Sequence, residues 1–180
     1  MRVTGGELGG RRLSAPKRGD DVRPTTDRVR EAVFSILGDL GGLRVLDLFS
    51  GTGALGIEAL SRGAAEATLV DTRPALARRN VEALGISERA LVVRSDAARF
   101  LSRAPGEAFD LVLCDPPYGL AERLSSQLDP LIRRALAPGG HVMIETSPER
   151  PIELELPLAR ERRYGDTLVR VHAAPGEGER

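Results

Sequence analysis

The chain has 180 residues, enough for one domain of ordinary size with a well-buried core. Hydrophobic residues make up 41% and charged residues 29%, as in globular proteins, and a formal net charge of zero gives no overall basic signature. No apolar run approaches the roughly 20 residues of a membrane span, and the N-terminus lacks the apolar core of a signal peptide, so we expect a cytoplasmic protein without a membrane partner.

The composition also argues against a metal site. Cys114 is the only cysteine, which rules out an internal disulfide and argues against a cysteine-based zinc site. The two histidines, His141 and His172, lie far apart in strand-like segments. We therefore expect no metal.

The N-terminal segment is the most basic part of the chain. Eight arginines or lysines stand against four acidic residues over residues 1–30. Short apolar alternations around Val3 and Leu13 predict a small hairpin or an irregular arm over residues 1–24. Such an arm suits a polyanionic partner, and the alternative is an arginine-rich surface that is simply solvated.

Residues 25–174 are predicted to form one α/β domain. Thr25 or Thr26 can cap a first helix, which Gly41-Gly42 would end. Strand-like runs then alternate with helical patterns, which predicts an open, mostly parallel sheet with helices on both faces. Strands are predicted near 45–49, 67–71, 90–93, 109–114 and 140–145, and helices near 54–62, 74–84, 97–103 and 121–136.

The end of this domain is predicted to depart from the parallel pattern. The turn at 138–140 should end a helix and start a strand. Strand-like segments at 158–164 and 167–173, joined at Gly165-Asp166, predict a C-terminal antiparallel hairpin and bring the sheet to seven strands. Residues 175–180 are expected to fray.

The first candidate site is Asp47-Leu48-Phe49-Ser50-Gly51-Thr52-Gly53, between a strand and a helix that opens at Ala54. Glycines here let the backbone approach a ligand, and a helix N-terminus adds N–H donors. Asp47 would suit a ligand that carries an ammonium group. The match of Gly51, Gly53 and Gly56 to a dinucleotide fingerprint is taken as chance spacing.

Two further acids follow strands. Asp71 ends the second strand and could accept both hydroxyls of a ribose, or it could cap the helix that begins near Pro74. Asp96 follows the third strand and could accept a hydrogen bond from an adenine amino group, or cap the helix that starts at Ala97. Ligands in such sheets bind beyond the carboxyl ends of the strands. Acids at successive strand ends therefore support a ligand-binding role better than any one of them does alone.

The fourth candidate site is Asp115-Pro116-Pro117-Tyr118, directly after the fourth strand. Two prolines stiffen the turn and remove two backbone donors, which leaves a carboxylate and carbonyls as acceptors for an amino group. An aromatic ring offers a stacking surface for a flat base. The alternative is an ordinary strand-to-helix turn.

The four sites together resemble those of the class I S-adenosylmethionine-dependent methyltransferases, which have a Rossmann-like fold. In that superfamily a motif like Asp115 to Tyr118 acts on exocyclic amino groups. The segment Arg23-Pro24-Thr25-Thr26-Asp27-Arg28-Val29-Arg30-Glu31, followed by residues 47–63, is similar to the bacterial 16S ribosomal RNA guanine-N2 methyltransferases that modify guanine 966. The resemblance extends from Arg2 to about Val171.

This resemblance implies a cofactor, a partner and a set of roles. The cofactor would be S-adenosylmethionine, and the partner of a monomeric enzyme would be 16S ribosomal RNA within the small ribosomal subunit. The cofactor site would comprise Asp47, Phe49, Gly51 and Gly53 toward its methionine end, Asp71 at the ribose, and Asp96 and Ala97 at the adenine. Asp115 and the Pro116 carbonyl would hold the guanine amino group, Tyr118 would stack on the base, and Arg23, Arg28 and Arg30 would contact RNA.

Two alternatives stay open from the sequence. One is an adenine-N6 methyltransferase acting on DNA or another RNA, although such enzymes usually carry a sizeable target-recognition region. The other is a non-catalytic RNA-binding assembly protein on a vestigial cofactor fold. The presence of all four candidate acids argues against it: Asp47, Asp71, Asp96 and Asp115.

Overall fold

The protein is described by a computed structural model that covers residues 1–16, 27–117 and 121–178, with the backbone alone for residues 121–125. The described residues contain five helices: α1 Asp27–Leu37, α2 Ala54–Ser61, α3 Ala75–Leu84, α4 Ala97–Arg103 and α5 Ala121–Ala135. The same part of the chain contains seven strands: β1 Arg44–Leu48, β2 Glu66–Asp71, β3 Ala90–Arg94, β4 Phe109–Cys114, β5 Leu136–Thr146, β6 Leu158–Tyr164 and β7 Thr167–Ala173. Within these residues no helix is both long and apolar enough to cross a bilayer.

The strands form one sheet in the order β3-β2-β1-β4-β5-β7-β6. Strands β1 to β5 pair in parallel, whereas β7 runs antiparallel to both β5 and β6. The predicted seven-stranded, mostly parallel sheet with a C-terminal antiparallel hairpin is confirmed. The chain moves outward from β1 to β3 and returns to β4 on the other side of β1, so the strand order reverses between β1 and β4.

Helices cover both faces of the sheet because successive residues of each central strand enter different cores. Val45 packs in one core with α1, α2 and α3, and the next residue, Leu46, packs in the other with α4 and α5. Burial on both sides explains why these strands appear in the sequence as nearly continuous apolar runs.

Two predicted boundaries are wrong. Helix α1 ends at Leu37, where Gly38 takes the left-handed conformation (φ 79°), four residues before Gly42. Strand β5 begins at Leu136, which pairs with Phe109, while His141 pairs with Leu111. The turn at 138–140 is therefore an irregularity inside β5 and not its start, because the apolar Leu136 is already buried and paired before the turn.

The described part of the predicted N-terminal arm is a hairpin. Arg2 and Arg12 pair antiparallel, and the Val3 N–H donates to the Arg11 carbonyl. Val3 and Leu13 are buried in the core beside α2. Residues 17–24, and the predicted helix caps at 25 and 26, lie outside the described residues.

The first residues after β7 are hydrogen-bonded to β5. The Ala174 N–H donates to the Gly140 carbonyl at 2.8 Å, and the Pro175 carbonyl accepts from the Gly139 N–H at 3.0 Å. Pro175 is therefore bonded to β5, whereas residues 179 and 180 of the predicted frayed tail lie outside the described residues.

The carboxylate of Glu58 fastens the hairpin and α1 onto α2. It is fully buried, and Glu58 is the one charged residue of α2. Its oxygens accept hydrogen bonds from the Thr4 N–H (2.7 Å), the Thr4 hydroxyl (2.7 Å), the Gly5 N–H (2.8 Å), Arg62 Nε (2.8 Å) and Arg30 Nε (3.4 Å). One carboxylate thus bonds the hairpin, α1 and the residue that follows α2.

We predict that Glu58→Gln lowers the free energy of unfolding by about 3–5 kcal/mol, because the buried Arg30 then keeps only the partly exposed Asp27 as its countercharge and the Gln amide nitrogen cannot accept the hydrogen bonds that the carboxylate accepts. Urea denaturation measures the change. Glu82→Gln, at an exposed position of α3, is the matched control and should stay within about 0.5 kcal/mol of the native protein. A loss below about 1 kcal/mol for Glu58→Gln would contradict this role.

Candidate cofactor-binding and catalytic site

The four predicted sites meet at one edge of the sheet. Leu48, the last residue of β1, stands opposite Val70 of β2 and Cys114 of β4. The residues that follow these strand ends therefore emerge side by side, with neighbouring strands about 4.8 Å apart. Asp71 in turn stands opposite Arg94 of β3, which brings residues 95 and 96 to the same edge. This edge lies at the reversal of the strand order.

The Gly-rich turn after β1 has a conformation that its sequence dictates. Gly51 (φ 53°) and Gly53 (φ 79°) take left-handed conformations, and a Cβ atom on Gly53 would lie 2.6 Å from Leu69 Cδ2. Phe49 also has a positive φ of 60°, which is uncommon for a bulky residue and costs energy. The turn is thus held in a strained shape directly beside the switch point.

Asp47 lies beneath this turn and is almost completely buried. Its Oδ2 accepts a hydrogen bond from the Gly56 N–H at 2.9 Å, while Oδ1 has no partner among the described residues. Burial raises the pKa of Asp47 to about 7; the Gly56 N–H opposes the rise, and the nearby charge of Asp71 adds to it. The site therefore holds a buried acid whose ionisation a cationic ligand would favour.

Gly56 has a role that the sequence analysis missed when it took its spacing as chance. A Cβ atom there would lie 3.1 Å from both Asp47 Oδ2 and Leu69 Cγ. The missing side chain lets the first turn of α2 approach β1 and β2 closely, as the third glycine of a nucleotide-binding fingerprint does. The spacing of Gly51, Gly53 and Gly56 in the sequence already indicated this close packing.

The carboxylate of Asp71 bonds to the Gly-rich turn. Its Oδ2 accepts from the Gly51 N–H at 2.8 Å, and its Oδ1 accepts from the Arg73 N–H at 2.7 Å. The residue before α3 is Pro74, and α3 has no side-chain cap. The carboxylate is therefore directed at the site, and the alternative role as a helix cap is not observed.

Asp96 does cap its helix. Its Oδ1 accepts from the Ala98 and Arg99 N–H groups at 3.0 and 3.2 Å, while the residue itself is exposed. Ala97, the first residue of α4, is buried in the core. The cap uses one carboxylate oxygen, so capping and a ligand contact through the other oxygen are compatible.

The turn after β4 is described as far as Pro117. Asp115 and Pro116 are half-buried and Pro117 is exposed, while Tyr118 lies outside the described residues. Burial raises the pKa of the Cys114 thiol, and the negative charges of Asp115 and Asp47 raise it further. Carboxylates from β1, β2 and β4 thus give this edge a negative potential that suits a cationic ligand.

In the described ranges no group of three or more His, Cys, Asp or Glu side chains is placed to hold a metal ion.

The three arginines predicted to contact RNA have different surroundings. Arg23 lies outside the described residues, and Arg28 is exposed on the first turn of α1. The prediction is wrong for Arg30, whose side chain is 1% exposed and bonds to Asp27 and Glu58. Its positive charge serves the packing of α1, so the charge count of the N-terminal segment overstates the basic surface.

The family described as "Conserved hypothetical protein 95" matches residues 1–173. The chain belongs to this family. It is 35% identical to the "Ribosomal RNA small subunit methyltransferase D" of Escherichia coli K12, over 99% of the chain and 92% of that protein. It is 32% identical to the protein of the same name from Haemophilus influenzae, over 84% of the chain and 81% of that protein.

Solved structures give the same fold. A hypothetical protein of Thermus thermophilus superposes with a TM-score of 0.80 at 32% identity, covering 96% of this family member and 98% of that chain. An RNA methyltransferase of Salinibacter ruber, solved with S-adenosylhomocysteine, superposes with a TM-score of 0.67 at 20% identity, covering 85% and 94% of the two chains. The predicted Rossmann-like methyltransferase fold and the family-level resemblance are confirmed; guanine 966 stays a prediction.

We predict that Asp47→Asn makes this family member more stable at pH 8 than the native chain, by a few degrees in Tm. The folded-state pKa of Asp47 is raised from 3.8 to about 7, so its ionised form opposes folding above pH 7. That penalty disappears as the pH falls from 7 toward 4. The Tm difference should therefore shrink over this window, and a difference that is constant with pH would contradict the assignment.

Proposed function

We propose that this protein is an S-adenosylmethionine-dependent methyltransferase of small-subunit ribosomal RNA, and that it methylates the N2 amino group of guanine 966 in 16S RNA. The observation that carries the proposal is the position of Asp115-Pro116-Pro117 at the switch-point edge, beside the Gly-rich turn. Support for the substrate comes from a near full-length likeness to a relative named for small-subunit ribosomal RNA. A cytoplasmic, monomeric enzyme is part of the proposal.

The cofactor fits the edge by charge and by shape. S-adenosylmethionine supplies an activated methyl group on a positively charged sulfur. The buried Asp47, with one unpartnered oxygen, favours the cationic methionine end above the Gly-rich turn. Asp71 would accept the ribose hydroxyls, and Oδ2 of Asp96 and the N–H of Ala97 would meet the adenine.

The catalytic step assigned to the turn is the activation of a weak nucleophile. The lone pair of an aryl amine is delocalised into the ring, so the nitrogen attacks poorly. The Asp115 carboxylate and the Pro116 carbonyl would accept its two N–H bonds and localise the lone pair on nitrogen. Proline supplies no N–H donor to compete for these acceptors. Rate acceleration would come mainly from positioning and electrostatics.

The substrate base must leave its stack to reach this turn, which costs a few kcal/mol in a duplex and less in a loop. Tyr118 would stack on the extruded guanine. Arg28, exposed at the start of α1, and Arg23 would contact the RNA backbone. Arg30 is left out of this set because it is buried.

We predict that Asp115→Asn lowers kcat about 100-fold or more, because the neutral amide accepts a weaker hydrogen bond from the substrate amine. Its affinity for S-adenosylhomocysteine should change by less than about threefold, since the carboxylate acts on the other substrate. Tritiated methyl transfer into unmethylated small ribosomal subunits measures the first quantity and calorimetry the second. Full activity in this variant would refute the assignment.

The matched control is Asp39→Asn, the same chemical change at an exposed position before β1, on the opposite edge of the sheet. It should leave both quantities unchanged. Mass-spectrometric mapping of the modified nucleotide then separates the remaining possibilities. A methylated adenine would favour the adenine-N6 alternative, and a native chain that does not bind S-adenosylmethionine would favour the assembly protein.

A second prediction tests the ribose role of Asp71. Asp71→Asn should weaken S-adenosylhomocysteine binding about tenfold, because a charge-assisted hydrogen bond is lost. Since Asp71 also holds Gly51, the analogue lacking the ribose 2′-hydroxyl is measured as well. The native protein should prefer the complete ligand clearly, and the variant should lose most of that preference. An equal preference in both proteins would leave Asp71 with a purely structural role.

A further inference from the structure

Three arginines lie close together on β6, the outermost strand of the sheet. Arg160, Arg162 and Arg163 are exposed, and each donates a hydrogen bond to a backbone carbonyl at 2.8 or 2.9 Å. Among the residues that the structure describes, none of the three forms an ion pair with an acidic side chain. The strand therefore presents three positive charges at one edge of the sheet.

The acidic residue between these arginines is bonded to another strand. Glu161 Oε2 accepts a hydrogen bond from Arg170 Nε of β7 at 2.7 Å. The two residues stand opposite each other in the β6–β7 pairing, so their side chains lie on the same face of the sheet. Arg160 and Arg162, one residue to either side of Glu161, lie on the other face. Glu161 therefore does not bond the arginines of its own strand.

The register of the sheet places these arginines at the level of the proline turn. One row of paired residues crosses the sheet from β4 to β6: Cys114, Ile144, Arg170 and Glu161. Strands β4 and β6 run in the same direction, because β5 is parallel to β4 and two antiparallel pairings follow. The residue after Cys114 is Asp115 and the residue after Glu161 is Arg162, so both lie one step further toward the switch-point edge. Three strand spacings, about 14 Å, separate them.

Arg160 joins this strand to α1. It stands opposite Val171, which is buried in the same core as α1, and its Nη1 donates to the Ile36 carbonyl at 2.8 Å. Arg28, which we propose to contact RNA, is exposed two turns before Ile36 on the same helix, about 12 Å along its axis. Arg28, Arg160 and Arg162 therefore lie on the same side of the sheet.

We propose that Arg160, Arg162 and Arg163 bind backbone phosphates of the ribosomal RNA beside the target guanine, an inference that rests on the proposed function. A guanine held at Asp115 leaves its neighbouring nucleotides at the same edge of the sheet, and a few of them span about 14 Å. Guanidinium groups bind phosphate through paired N–H donors and release its counterions. Such contacts position the RNA without reading its sequence, which complements the recognition of one base at the proline turn.

The test measures the binding of unmethylated small ribosomal subunits across a series of potassium chloride concentrations. Arg162→Gln with Arg163→Gln removes two phosphate contacts and should weaken binding about tenfold at low salt. The logarithm of the association constant should also fall less steeply with the logarithm of the salt concentration, by about two in slope. The affinity for S-adenosylhomocysteine should stay native, because β6 lies four strands away from β1 and the Gly-rich turn.

The matched control is Arg78→Gln with Arg79→Gln, which changes the net charge equally. Both residues are exposed on α3, which packs beside β3 at the other end of the sheet. This variant should keep the native subunit affinity and the native salt slope. Arg162→Lys with Arg163→Lys retains the two charges on β6 and should retain the slope as well.

Native subunit affinity and slope in the glutamine variant of β6, or an equal loss in the α3 variant, would overturn the inference. An exposed strand edge that carries charged residues also resists pairing with a second strand. If the β6 variant self-associates in gel filtration yet binds subunits as the native protein does, the arginines only protect that edge and the inference fails. A native protein that binds neither S-adenosylhomocysteine nor subunits would instead overturn the proposed function itself.

Discussion

The register of β1 between β2 and β4 determines where every candidate functional residue lies. Leu48 stands opposite both Val70 and Cys114, so the segments after these strands leave the sheet at one edge. A slip of one residue would turn Asp47 from the face of α2 to the face of α5, since side chains alternate along a strand.

Several residues at the switch-point edge destabilise the unliganded protein in ways that suit ligand binding. Asp47 is buried with one oxygen unpartnered, Phe49 takes a left-handed conformation, and Asp71 lies close enough to raise the pKa of Asp47. Each feature is unfavourable in the unliganded protein, and a cationic cofactor would relieve the electrostatic part. This combination distinguishes a binding site from an ordinary strand-to-helix turn.

The buried charges of Glu58 and Arg30 differ from that of Asp47, because they stabilise the fold by pairing with each other. Glu58 and Arg30 are buried, but they are bonded to each other and to the N-terminal hairpin. The side chain of Asn80 joins the same hairpin to the Gly-rich turn, because it bonds to both backbone groups of Ser14 and to the carbonyl of Thr52. The N-terminal segment is therefore built into the domain by polar contacts on one side of the sheet, and is not merely a basic extension of it.

The sequence by itself determined the fold class, the seven strands and the positions of the Gly-rich and proline turns. Strand and helix periodicities and turn residues are local signals, and their alternation restricts the topology. Only the tertiary structure decided that Arg30 is buried and that Asn80 joins Ser14 to Thr52. These facts depend on which side chains meet across distant segments, and a pattern of residue types along the chain does not specify such meetings.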